Sequence, residues 1–110
     1  MVLDIMEIIK LYFNYWNLQD IKGLRGLFTK DIYLQDWEKK KTGIEDVIKE
    51  NIHIFQNFPK IQAVICDIAI SDTQVMAQLE VKINEIETIN VIDVFLINNG
   101  KISGIKAYKN

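Results

Sequence analysis

The stretch TINVIDVFLINNGKISGIKAY, Thr88 to Tyr108, decides the fold class. It alternates with a period of two on both sides of Asn98-Asn99-Gly100, and an Asn-Gly pair between two such runs marks a hairpin. In the first run Ile89, Val91, Asp93, Phe95 and Ile97 share one side, while Ile92, Val94 and Leu96 share the other. Both faces of this strand are apolar, so both need cover. Toward the N-terminus two further alternating runs precede it, Ile61 to Ile70 and Val75 to Asn84, with Ser71-Asp72-Thr73 and Glu85-Ile86-Glu87 as the turns. Short turns between alternating runs predict an antiparallel meander.

Ahead of the meander the period is helical. Ile44, Val47, Ile48, Asn51, Ile52, Phe55 and Phe58 share one face, with His53 opposite beside Asp46, Lys49 and Gln56. Thr42 and Glu45 have the spacing of a capping box, which predicts a start at Gly43 or Ile44, and Pro59 predicts the stop. At the N-terminus Ile5, Ile8, Ile9, Tyr12, Tyr15 and Trp16 form the apolar face of a first helix, with Glu7, Lys10, Asn14 and Asn17 opposite. Asn17 to Asp20 break it, and Asp20 can cap a short second helix carrying Leu24, Leu27 and Phe28, weakened by Gly23 and Gly26. A turn at Thr29-Lys30-Asp31, a short strand Ile32-Tyr33-Leu34 ending at Asp36 and a polar loop from Glu38 to Lys41 complete the reading. Helices first and a meander after them give an α+β class, with helices packed on one face of a curved sheet.

At 110 residues with 49% hydrophobic content, one compact domain is expected to bury a real core unaided. The single cysteine, Cys66, rules out an internal disulfide and a thiolate metal cluster. The N-terminus has no basic region before its apolar residues, and no apolar run approaches the roughly 18 residues that span a bilayer, so a cytoplasmic protein without membrane attachment is expected. The net charge is −2 and lysines are scattered among carboxylates, which is no footprint for nucleic acid. Lys39, Lys40 and Lys41, flanked by Glu38 and Glu45, read as a solvated loop.

Asp93 is the least ordinary residue, a carboxylate among Val91 and Phe95 that must find a partner or stay protonated. It is a site candidate, or else an aspartate held by backbone amides at a bulge or by a buried lysine. Tyr12, central on its apolar face, is an ordinary core tyrosine unless its hydroxyl meets a pocket. Asp36 stands either at a cavity mouth or as a turn-capping aspartate. Asn51, the polar residue on the inward face of the third helix, satisfies a backbone group or reaches into a pocket. His53, the only histidine, faces water, and no His/Cys metal cluster, catalytic triad or Gly-rich phosphate loop can be assembled. Trp16, Phe28, Phe55 and Phe58 read first as core, with a pocket wall as the other use.

The segment from Tyr12 to Asp36, with Asp20-Ile21, Leu27-Phe28 and Asp31 between, resembles the opening half of the NTF2-like superfamily in its SnoaL-like and ketosteroid-isomerase branch. Val91-Ile92-Asp93-Val94-Phe95, Asn99-Gly100-Lys101-Ile102 and Ala107-Tyr108 resemble that branch's last two strands. The resemblance implies a conical, strongly bent, mostly antiparallel sheet around three N-terminal helices, enclosing an apolar pocket. In ketosteroid isomerases a first-helix tyrosine and a protonated aspartate form an oxyanion hole, and an aspartate ending the first strand moves the proton. Carried over, those roles fall on Tyr12, Asp93 and Asp36, with Trp16, Phe28, Trp37, Asn51 and Phe55 around the substrate. Trp37 stands where the resemblance would put the proline that commonly follows the base, the loop to Gly43 is shorter than the family's by about two residues, and two supporting tyrosines of one subgroup fall at Phe28 and Asn51. The implied function is a cofactor-independent isomerase, or related lyase or cyclase, acting on a small hydrophobic carbonyl compound such as a steroid or polyketide. The other readings are a non-catalytic small-molecule-binding module and a structural or protein-partner role. No metal or cofactor is implied, and a homodimer through the outer face of the sheet is expected.

Overall fold

Helix α1 (Ile5–Leu18) starts where Asp4 accepts from the Glu7 amide at 2.8 Å and the Glu7 side chain returns to the Asp4 amide at 3.2 Å. This reciprocal cap satisfies donors that a helix start leaves free. The computed structural model describes residues 3–110. Gln19, with φ of 57°, ends α1, and Asp20 then caps α2 (Ile21–Leu27) through the Gly23 amide at 2.9 Å. Strand β1 (Phe28–Gln35) follows without a turn. It is succeeded by β2 (Lys40–Thr42), α3 (Ile44–Asn57), β3 (Gln62–Ile70), β4 (Gln74–Lys82), β5 (Thr88–Asn98) and β6 (Lys101–Lys109).

The six strands form one curled, open sheet in the order β2-β1-β6-β5-β4-β3, antiparallel except for the β1–β6 pair. The hairpins from β3 to β6 match the alternation read from the sequence. The three helices fill the inner face. Val75, Ala77, Leu79 and Val81 of β4 point inward, as do Val91, Asp93 and Phe95 of β5, and they meet Ile8, Ile9, Tyr12, Phe13 and Leu24 of the helices.

Three local expectations are corrected. Thr29 to Asp31 are not a turn but an irregular stretch inside β1. Phe28 pairs with Ile102 and Tyr33 with Gly104, so five steps along β1 run beside two along β6, and these polar residues take up the excess. The loop from Glu38 to Lys41 is shorter than expected, because Lys40 and Lys41 pair with Gln35 and Leu34 as an edge strand. Thr42 does not cap α3: its backbone is committed to Tyr33, and Gly43, at φ of 90°, takes the cap position with no side-chain bond. Glu45 is thereby released to hold Arg25 of α2 at 2.6 Å.

The two α2 glycines differ. A Cβ on Gly23 falls 2.6 Å from Cγ of the Tyr15 ring, near its stiff base, whereas a Cβ on Gly26 meets nothing within 4 Å. Helix propensity favours alanine at both by about 1 kcal/mol, but overpacking against a ring costs about 1–3 kcal/mol. Urea melts are therefore expected to show Gly26→Ala stabilised by up to about 1 kcal/mol and Gly23→Ala destabilised by up to about 2 kcal/mol.

Candidate functional site

Between the helices and the inner face of the sheet lies a cavity of about 510 Å³, and Tyr12, Trp16, Asp36, Trp37, Asn51 and Asp93 all line it. Asp93 sits at regular register on β5, with Ala77 of β4 on one side and Ala107 of β6 on the other. Two alanines beside it leave space around the carboxyl group. Neither a lysine nor a backbone amide holds it: among the described residues no salt bridge or side-chain hydrogen bond includes Asp93. Among the described residues no fully enclosed side-chain polar atom lacks a partner, so the unpartnered carboxyl opens onto the cavity. Removal from water pushes it above the usual carboxylate range, to about 7.

Tyr12 reaches the same space from α1. Its ring is fixed edge-on to Phe13 at 5.0 Å and to Phe95 at 5.1 Å. Burial raises its phenol well above the ordinary value, and the neighbouring Asp93 carboxylate raises it further. Both groups therefore favour their protonated, hydrogen-bond-donating forms.

Asp36 stands at the mouth as the first residue of the β1–β2 turn. Its Oδ1 accepts from the amides of Glu38 and Lys39, each at 2.7 Å, and its own amide donates to the Lys39 carbonyl at 2.9 Å. The turn-capping role and the place at the cavity are thus both real, with one carboxylate oxygen left over for another partner. Trp37, 46% exposed, follows it, with the Lys109 ammonium 5.6 Å from its ring centre.

Asn51 fulfils both of its alternatives. Its amide nitrogen donates to the Val47 carbonyl at 3.0 Å, and its Oδ1 accepts from Trp16 Nε1 at 3.2 Å. Phe28 and Phe55 are not on the cavity wall. Phe28 is buried behind Tyr12 at 6.3 Å, and Phe55 backs Trp16 edge-on at 5.3 Å, so both brace wall residues from the core. Phe58, past the end of α3, turns out to the rim at 43% exposure instead of entering the core. His53 is exposed, as its helix position implies, and sits at the rim 3.0 Å from the Asn57 amide.

Glu50 was missed by the sequence reading. It is buried on α3, lines the cavity and lies 3.5 Å from the Lys39 ammonium. The signal was present: Val47, Glu50, Asn51 and Ile54 have the i, i+3, i+4, i+7 spacing of one face.

A raised carboxyl pKa means that the folded state binds the Asp93 proton more tightly than the unfolded one. Its stabilising contribution is therefore full below about 4, where both states are protonated. It is lost as pH rises toward about 7, the folded value. Asp93→Asn removes this dependence, so in urea melts its stability relative to wild type should be about 2–3 kcal/mol greater at pH 8 than at pH 5. Carboxyl ¹³C titration checks the cause, and a midpoint below about 4 would show a charged, partnered Asp93 instead.

The sequence profile of the SnoaL-like domain matches residues 9–105. Among solved structures, an NTF2-like protein of unknown function from Cytophaga hutchinsonii superposes with a TM-score of 0.87 at 11% identity, covering 100% of this chain and 93% of that one. A provisionally named polyketide cyclase from Sinorhizobium meliloti gives 0.85 at 15% identity, covering 92% and 93%. A provisionally named ketosteroid isomerase from Kribbella flavida gives 0.83 at 14% identity, covering 94% and 76%. Identities this low establish likeness of fold and not of activity. No curated protein sequence matches significantly. The matched residues run from α1 into β6 and the architecture is that of the NTF2-like structures, so the chain belongs to the SnoaL-like domain family.

Proposed function

We propose that this protein is a cofactor-independent isomerase, or a related lyase or cyclase, that shifts a proton α to the carbonyl of a small hydrophobic steroid- or polyketide-like compound. The observation that carries the reading is the pairing of two buried, unpartnered proton donors, Tyr12 and Asp93, in one largely apolar cavity. The free oxygen of Asp36 takes the α proton. The C–H electron pair moves into the enolate, whose negative oxygen accepts hydrogen bonds from the Tyr12 hydroxyl and the neutral Asp93 carboxyl. The proton then returns from Asp36 to a carbon further along the dienolate, and the carbonyl is restored. Such donors act most strongly where water is excluded and no reorganisation is needed.

Asp36→Asn is a clean test because the side-chain oxygen that accepts from Glu38 and Lys39 is kept while the proton acceptor is lost. On an accepted β,γ-unsaturated ketone the expected loss in kcat is about 10³-fold or more, with binding of 2-naphthol, a mimic of the oxyanion, nearly unchanged. Tyr12→Phe and Asp93→Leu should instead weaken 2-naphthol. The second reading, a binding module that keeps the polar pocket, is favoured by the commitment of Asp36 Oδ1 to the turn. Equal turnover by wild type and Asp36→Asn would remove the proton-transfer role, whereas binding of 2-naphthol with no turnover by wild type would establish the binding module.

The same reading has two copies meet through the outer face of the sheet. There Met76 faces Val94, and Ile92 faces Tyr108, in cross-strand register, with Met76, Ile92 and Tyr108 each exposed. An exposed apolar strip of this kind is the ordinary signature of an isologous contact. Light scattering at tens of micromolar, roughly the range where such dimers persist by mass action, should give a dimer for wild type and a monomer for Ile92→Lys. A monomeric wild type removes the dimer.

A further inference from the structure

Glu50 has no part in the proposed chemistry, yet it is a charged side chain that α3 buries against the cavity, 9% exposed. Its closest cation is the Lys39 ammonium, at 3.5 Å. Lys39 also closes the turn that carries Asp36: its amide donates to Asp36 Oδ1 at 2.7 Å, and its carbonyl accepts from the Asp36 amide at 2.9 Å. One residue thus joins the Asp36 turn to a helix on the other side of the cavity mouth. The turn has few other anchors. Strand β2 is three residues long, lies at the edge of the sheet and pairs only with β1.

We propose that Glu50 is a positioning residue, which through Lys39 locks the turn from Asp36 to Lys39 against α3 and so sets the aim of the free oxygen of Asp36 at the cavity. The importance of that aim rests on the proton-transfer reading above; the lock itself does not. The other ion pairs among the described residues contrast with it. Arg25–Glu45 and Lys60–Glu85 have carboxylates 70% and 82% exposed, where water screens the attraction and holding two long side chains offsets the gain. The Lys39 side chain is 43% exposed, like that of Arg25, but the Glu50 carboxylate is shielded from water, so the attraction is screened less than in those two pairs, and loss of Lys39 leaves a buried carboxylate without its cation. The groups around the same hollow are Lys41, Asp46, Lys49 and His53, and none of them joins Glu50 in a salt bridge. Misplacing a proton acceptor by about 1 Å is enough to cost up to about a hundredfold in rate.

The test is amide hydrogen exchange by NMR on the full chain, read at Asp36, Glu38 and Lys39. Glu50→Gln and Lys39→Met should each speed exchange there by about tenfold or more, with the double variant no faster than either single one, because one link is lost in all three. Lys39→Arg should restore slow exchange, and the β4 amides should keep wild-type rates, which shows that the fold is intact. On an accepted β,γ-unsaturated ketone, Glu50→Gln should lower kcat by about ten- to a hundredfold with KM unchanged. Unchanged exchange at the turn in Glu50→Gln overturns the proposal. So does a loss of turnover as deep as that of Asp36→Asn with turn exchange unaltered, which would make Glu50 itself the proton acceptor. A wild type inert toward the ketone overturns the proton-transfer reading and not the lock, which the exchange rates decide alone.

Discussion

A carboxyl group taken out of water without a counter-charge is the constraint on which this molecule turns. Asp93 could be stabilised as an anion by a lysine or by backbone amides, and the sheet supplies neither. Its register is regular where it stands, and the β5–β6 irregularity falls farther along at Leu96 and Ile97. What remains is to keep the proton. The alanines on both neighbouring strands then matter, because a larger residue at either position would fill the space into which the protonated group can donate.

The rest of the fold maintains that condition. Helix α1 brings Tyr12 beside Asp93, and Phe13 and Phe95, themselves edge-on at 5.7 Å, clamp the phenol ring from two directions. The Asp93 carboxylate makes ionisation of Tyr12 harder, since two negative charges would share one poorly solvated space. The α3 wall is different: Asn51 accepts from Trp16 and donates one N–H to Val47, which braces it on both sides. Tyr12 and Asp93 thus bring two buried proton donors to the cavity, and Asp36 and Glu50 bring carboxylates to the same space.

Legibility in the sequence followed the strength of local pattern. The β3 to β6 meander was readable because alternation and turn chemistry agree along most of it, most plainly at Asn99-Gly100, where positive φ at both residues suits the pair; the exception is β3, whose register against β4 shifts between Ile65 and Asp67. Asp93 and Tyr12 were readable for a related reason, as polar groups on otherwise apolar faces. Where tertiary pairing overrides local signals, the reading failed. Thr29-Lys30-Asp31 has turn composition, yet β6 continues to run beside it. Thr42 has capping chemistry, yet its backbone belongs to a strand pair. Phe55 lay on the correct helix face but one layer too deep, a distinction that periodicity does not carry, and Phe28, read as part of the second helix, opens β1 and packs behind Tyr12. Glu50 was lost because a charged residue on the flank of an apolar stripe reads as solvated until a cation across the mouth is known.

That last failure shows where sequence reasoning ends in a site of this type. Tyr12 and Asp93 sit on long, regular elements whose packing is over-determined, so their placement follows from the fold. Asp36 sits on the shortest and least supported hairpin of the sheet, where the fold alone leaves the turn free to shift. A base must be placed to within a fraction of an ångström if proximity is to lower a barrier. The chain meets this demand with bonds that periodicity does not reveal: two amides on one Asp36 oxygen, a carbonyl closing the turn, and an ammonium carried across to a helix. Precision at the mouth of the cavity is thus set by a few polar links between neighbouring elements, whereas precision at its base is set by the packed core.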